Sequence, residues 1–176
     1  MRDGTLRHVL MTGTHDLHQT LDHGIGAFDD ARSYATYLSG SHAFRAAVEP
    51  QVIGDGDWRI QPLVSLIAQD MADLGVVAQG PTTPIPLTTP AARAAACYVL
   101  EGSALGGRIL ARRAAGLGFT DRHGARHLAA QTASPARWRQ FLEWLEAGGF
   151  CAATAIAAAR DVFAVALRSY GVRTAA

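Results

Sequence analysis

Apolar positions recur along this chain at helical intervals of three and four, β-branched runs are nearly absent, and alanine, leucine and arginine dominate; the pattern predicts an all-α protein. From Thr5 to Asp22, the residues Leu6, Leu10, Leu17 and Leu21 make one apolar stripe, and the glycines of HGIG beyond Asp22 supply a helix stop. A second helix is predicted across DDARSYATYLSGSHAFRAAVE, with Asp29 or Asp30 near its N-terminus and Pro50 after its last turn. GDGD then reads as a turn. A third helix follows in WRIQPLVSLIAQDMADLG, entered late or kinked around Pro62 and closed by Gly75.

No helix can cross the proline-rich QGPTTPIPLTTP, which reads as a connector inside one domain because neither flank would make a sufficient core alone. Beyond it, Thr89 followed by Pro90 predicts the N-cap and first turn of a long helix reaching the region of Gly116. Ser134 and Pro135 repeat that signal ahead of Trp138, Phe141, Leu142 and Leu145, which share one face, and CAATAIAAARDVFAVALRSYG is the last helix. No internal repeat is visible. The expected architecture is a single-domain multi-helix bundle of roughly seven helices spanning residues 1–176.

Composition narrows the partners more than the fold. Of the 176 residues 49% are hydrophobic and 18% charged, and 16 Lys+Arg against 15 Asp+Glu leave a formal net charge of +1, so nothing global favours nucleic acid or an anionic membrane. No apolar run is long enough to span a bilayer and the N-terminus lacks a signal-type core, so a soluble cytoplasmic protein is expected; a monomer is the expected state. Cys97 and Cys151 lie far apart without metal-type spacing and read as two buried thiols in a reducing compartment.

The candidate chemistry begins at YVLEGSALGGRIL, where Gly102, Gly106 and Gly107 interrupt a helical pattern although each glycine costs about 1 kcal/mol against alanine. Tyr98, Gly102, Leu105, Gly106 and Ile109 lie close to one stripe. Two uses of that thin surface stay open from spacing alone: close helix packing, or a flat ligand lying against the backbone. In the first helix His18 shares a face with Leu10, Thr14 and Leu21 and should point inward. Asp22, four residues on, is placed to accept the proton of one ring nitrogen and leave the other free for metal. His15 is a competing ligand set away from the leucine stripe.

THDLHQTLD, SLIAQDMADLG and above all YVLEGSALGG, in that order along nearly the whole chain, resemble the biliverdin-producing heme oxygenases, particularly the bacterial branch found beside phytochromes. The resemblance implies an all-α, heme-oxygenase-like fold in which heme is sandwiched between the first helix and the glycine-bearing helix. His18 matches the proximal iron ligand, Gly102 and Gly106 the distal glycines, and Tyr98 a tyrosine near a heme propionate. It further implies that heme is both cofactor and substrate, that O2 is the co-substrate, that a ferredoxin or reductase supplies electrons, and that a phytochrome is a possible acceptor of biliverdin. Two departures stand out. Met11 occupies a position where many members carry a basic residue that pairs with a propionate, and Arg7, one turn earlier, is the candidate replacement. Ser103 follows the first distal glycine where mammalian members have an aspartate and the bacterial branch commonly has serine. Arg168, with Arg112, Arg113 and Arg160, is a further candidate for a propionate, and Phe163 for the core or the heme edge. Trp138 and Trp144 read as packing residues.

The competing expectations are a noncatalytic heme carrier, a protein of the same broad fold acting on another ligand, and a pure interaction bundle. A di-iron site is disfavoured because no Glu-x-x-His pair is present.

Overall fold

A computed structural model of the chain describes residues 4–53, 58–80 and 82–172; the GDGD turn and the C-terminal RTAA lie outside the described residues. Among the described residues eight α-helices follow one another: α1 (Leu6–Gly13), α2 (His15–Ile25), α3 (Ala31–Val48), α4 (Val64–Asp73), α5 (Pro90–Gly116), α6 (Arg126–Thr132), α7 (Arg137–Ala147) and α8 (Ala152–Ser169). A short 3-10 turn, Glu49–Gln51, continues α3. The all-α expectation is met.

Several boundaries fall where local chemistry put them. Asp30 caps α3 through Ser33 N–H, and Ser33 reciprocates. Thr89 accepts from Ala92 N–H ahead of Pro90 at the start of α5. Gly26 and Gly75 take positive φ just past α2 and α4, where a side chain would be strained.

Three boundaries differ from expectation. The first predicted helix is divided at Thr14, whose φ of −122° leaves the helical region, while its hydroxyl donates to Leu10 C=O. Helix α7 starts after Ala136 and not after Ser134, since Pro135 and Ala136 form a turn closed by Arg137 N–H on Ser134 C=O at 3.3 Å, and no side chain caps the helix. Helix α6, one short element without an apolar period of its own, was not anticipated; it is fixed by tertiary contacts described below.

The longest helix contact is α5 on α8. The first half of α5 presents Ala91, Ala92, Ala94, Ala95 and Ala96, all buried, and α8 presents Ala155, Ala159 and Ala166. Small side chains let the two axes approach closely, and Val162, Val165, Phe141 and Leu145 fill the flanks. Helices α1, α2 and α3 also rest on α8. At the junction of α1 and α2 a side chain at Gly13 would meet Ile156 Cγ2 at 2.9 Å, so glycine permits this approach. Arg160 of α8 staples the same junction, donating to Gly13 C=O at 2.7 Å and to both oxygens of Asp16 at 2.8 and 3.0 Å. That guanidinium holds the Asp16 carboxyl below its usual range.

A second cluster, built on Phe28, Tyr34, Tyr37, Leu38, Ile67 and Leu128, joins α3, α4 and α6. Between the two clusters Glu49, 1% exposed, accepts from Arg45 at 2.7 Å and from the N–H groups of Leu63 and Val64, so one carboxylate pairs a buried cation and satisfies the start of α4. Cys97 is buried, and that burial pushes its thiol up to about 12. Cys151, expected inside, is exposed: it sits just ahead of α8, where the chain turns outward after Phe150.

Glu49→Ala strands the Arg45 cation and two N–H groups, so urea unfolding should show a loss of about 3–5 kcal/mol, against under 1 kcal/mol for the exposed Glu143→Ala.

Candidate active site

Helix α2 carries an apolar stripe yet contributes no fully buried residue: Leu17 and Leu21 pack partly against the core and α8, and the rest of its inner face borders an open space shared with α5. The space is a cavity of about 380 Å³, lined from α1 and α2 by Arg7, Met11, His15, His18 and Leu21 and from α5 by Tyr98, Gly102, Ser103, Leu105 and Gly106. Met11 and Leu105 are about half exposed at its rim and add apolar surface to its mouth.

His18 is positioned by three contacts. Its backbone N–H is bonded to Thr14 C=O at 2.9 Å, its Nδ1 lies 3.2 Å from Asp22 Oδ2, and its ring meets Phe163 edge-on at 5.9 Å between centroids. The carboxylate holds the Nδ1 proton, which leaves the Nε2 lone pair as the group available to the cavity. The side chain is 58% exposed, so this nitrogen is accessible. The inward orientation read from the sequence and the Asp22 partnership both hold. His15 also reaches the cavity wall, contrary to its expected place away from the stripe.

The three glycines separate in role. A Cβ at Gly107 would touch Gln131 and Thr132 at 3.4 Å, so this glycine lies against α6. At Gly102 a Cβ would find Trp138 at 3.6 Å, an ordinary contact. At Gly106 it would meet nothing within 4 Å and would project into the cavity. Close helix packing therefore accounts for Gly107 and not for Gly106. Trp138, read from sequence as a packing residue alone, stands beside Tyr98 at 5.8 Å between rings and forms part of the cavity wall.

Beyond the glycines the wall becomes polar. Ser103 Oγ donates to Leu100 C=O at 2.6 Å and accepts from Arg45 Nη2 at 3.1 Å and from Gln131 Nε2 at 2.6 Å. All its hydrogen-bonding capacity is committed inside the protein, so Ser103 acts by fixing Arg45 and Gln131. Tyr37, Ser41, His127 and Tyr170 extend the same wall. None of these was singled out from the sequence. A signal was present in α3, where Tyr37, Ser41, Arg45 and Glu49 recur every fourth residue and make a polar stripe through an otherwise buried helix.

The basic candidates divide. Arg7 lines the cavity, near enough to Tyr98 to ease ionisation of a hydroxyl that burial otherwise pushes up. Arg168 is exposed and does not reach the cavity wall. Arg160 is committed to Asp16 and Gly13, Arg113 donates to Gly26 C=O at 3.1 Å, and neither they nor Arg112 line the space. The α8 arginines are turned away because the inward face of that helix is taken by its alanines and valines.

No family model matches the chain. It is similar to a protein named heme oxygenase from Xanthomonas campestris pv. campestris (strain 8004), with 34% identity over 149 residues that cover 77% of this chain and 87% of that one. Among solved structures it is similar to the NO- and CO-bound heme oxygenase of Neisseria meningitidis, with a TM-score of 0.77 and 26% identity across 99% of this chain and 96% of the other. An all-helical fold shared end to end with one heme oxygenase, and a sequence shared over most of another, establish that the chain belongs to the heme oxygenase family.

Proposed function

We propose that the cavity between α2 and α5 takes heme with His18 as the proximal iron ligand, and that the chain opens the porphyrin to biliverdin, carbon monoxide and iron using O2 and electrons from a ferredoxin or reductase. The observation that carries this reading is the opposition of two surfaces: an accessible imidazole nitrogen on α2, and a side-chain-free patch at Gly106 on α5 whose missing Cβ would occupy the gap. A volume of about 380 Å³ lies within the roughly 300–1,000 Å³ range of small-molecule sites, and the mixture of apolar rim, one imidazole and one polar wall fits an iron porphyrin.

Bound heme would supply both the redox iron and the ring that is consumed, while the protein supplies orientation and hydrogen bonds. Asp22 fixes the His18 tautomer and strengthens it as a neutral ligand. Gly102 and Gly106 keep the opposite wall thin, so backbone can approach the ring closely. Arg7 and Tyr98, adjoining on the cavity wall, are placed to bind a propionate, with Arg7 taking the part that Met11 cannot. Ser103 holds Arg45 and Gln131 at the polar end, where ordered water could be oriented to move protons. Among the described residues no helix is long and apolar enough to cross a membrane. We infer that the protein works as a cytoplasmic monomer and passes biliverdin to an acceptor such as a phytochrome.

Purified protein titrated with hemin and reduced in air should lose its Soret band and gain bilin absorption; a Soret band that persists through reduction would make the protein a heme carrier instead. His18→Ala should weaken heme binding about tenfold or more, since even outer partners of a metal ligand are worth that much, while unfolding free energy moves by only about 0.5 kcal/mol because the side chain is exposed. Gly106→Leu should abolish turnover yet raise stability of the heme-free protein by up to about 1 kcal/mol, because leucine is the better helix former and meets no neighbour.

A further inference from the structure

One buried ionisable pair reaches the cavity through its histidine and has no part in the roles assigned so far. Asp70 on α4 is 0% exposed and His127 on α6 is 1% exposed. Asp70 Oδ2 accepts from His127 Nδ1 at 2.7 Å and from His127 N–H at 3.0 Å, and its Oδ1 accepts from Arg126 N–H and Arg126 Nη1, each at 3.0 Å. The other ring nitrogen, Nε2, makes a long 3.4 Å hydrogen bond to the Tyr37 hydroxyl. One turn further along α3, Ser41 Oγ lies 2.8 Å from the Tyr170 hydroxyl. Tyr37, Ser41, Tyr170 and His127 all line the cavity.

The Asp70 carboxylate caps α6 and pairs with Arg126 through backbone and guanidinium N–H groups, and the His127 Nδ1–H completes its hydrogen bonding. That structural role uses only one ring nitrogen and leaves Nε2 to face Tyr37. The imidazole adds a directional hydrogen bond. Burial lowers the His127 pKa below its usual 6.5, with Asp70 opposing and Arg45 assisting at longer range, so the ring is neutral at neutral pH. Its hydrogen-bonded neighbours hold the Asp70 carboxyl below its usual range against desolvation, and burial pushes Tyr37 strongly up. Asp70 is therefore an anion that can only accept, Tyr37 keeps its proton, and His127 carries one hydrogen, on Nδ1. Among the described residues, the groups that face the ring are Asp70 from α4, Tyr37 and Arg45 from α3, and Arg126 through Asp70 from α6 itself; α5 sends no ionisable side chain into hydrogen-bonding contact with it.

We propose that the Asp70–His127 pair is a positioning device that sets the hydrogen-bond polarity of the cavity's polar wall, with His127 Nε2 accepting the hydrogen bond of the Tyr37 hydroxyl so that Tyr37 presents oxygen lone pairs to the cavity. An acceptor at that point holds a water molecule by one hydrogen and leaves its second hydrogen to be donated toward the heme side. Protonation of His127 reverses the order: Nε2–H then donates to Tyr37, and the Tyr37 proton turns to the cavity. The inference rests on heme occupying the cavity, and its test has one arm that does not.

In heme-free protein at neutral pH, ¹⁵N NMR should find His127 as the neutral Nδ1–H tautomer; an Nε2–H or protonated ring would overturn the proposal whether or not heme binds. In the heme-loaded, reduced protein with carbon monoxide as probe, His127→Phe frees the Tyr37 hydroxyl to donate to the ligand, so the C–O stretch should fall, and the added Tyr37→Phe should restore it. Wild type should show the same fall only at a pH lower than the ring's usual 6.5, because burial lowers the His127 pKa, and His127→Phe should not. Turnover in His127→Phe should drop roughly 10-fold with heme affinity retained. A C–O stretch unmoved by His127→Phe, or moved equally in the double variant, would reduce His127 to a packing residue. Failure to take up heme at all would instead count against the cavity as a heme site.

Discussion

The close approach of α5 and α8 along their alanine faces is the contact on which the rest of this molecule is arranged. Because Ala91, Ala92, Ala94, Ala95 and Ala96 on one helix and Ala155, Ala159 and Ala166 on the other have almost no side chain to separate the axes, α8 becomes a spine against which α1, α2 and α3 also lean. Both walls of the cavity are thus referred to the same helix and need not touch each other. Helix α5 changes character along its length: its first half is buried seam, and its second half, from Gly102 on, turns a thin face to open space. A cavity between two elements that share a rigid support keeps its width without filling it.

Buried charge sets the finer geometry. Arg45 and Glu49 tie α3 to the start of α4 and to Leu100 and Ser103 on α5. Asp70 ties α4 to α6 through Arg126 and His127, and Glu101 ties α5 to α7 through Arg137 while accepting from Trp58. Each such pair contributes little net stability against an apolar replacement, yet loss of one partner leaves a charge in low dielectric and is costly. The outcome is a set of interactions that discriminate among helix placements more than they stabilise the fold. Each of them adjoins the polar end of the cavity or one of its supporting helices, which is where sub-ångström placement matters for orienting a small ligand and its protons.

Much of the fold was legible in local chemistry. The caps at Asp30 and Thr89, the stop at Gly75 and the inward face of His18 with its Asp22 partner follow from short-range rules that act within one turn of helix, and they stand in the structure as expected. The misreadings share one cause. Helix α6, the break at Thr14, exposed Cys151 and outward Arg168 all depend on which neighbour covers a given face, and periodicity within a segment carries no information about the neighbour.

The glycines mark the limit most clearly. Sequence determined that the chain is helical, that α5 is thin at Gly102, Gly106 and Gly107, and that an imidazole on an early helix faces the interior, because propensity, capping and the 3.6-residue period are properties of the segment itself. Only the tertiary structure decided that Gly107 packs on α6 while Gly106 opens on a cavity, and that Tyr37, Ser41, Arg45, His127 and Gln131 from separate helices converge on one wall. The reason is physical: a wall assembled from α3, α5, α6 and α8 exists only after those helices have buried their apolar faces, and long-range packing, unlike a helix period, leaves no mark at any fixed spacing along the chain.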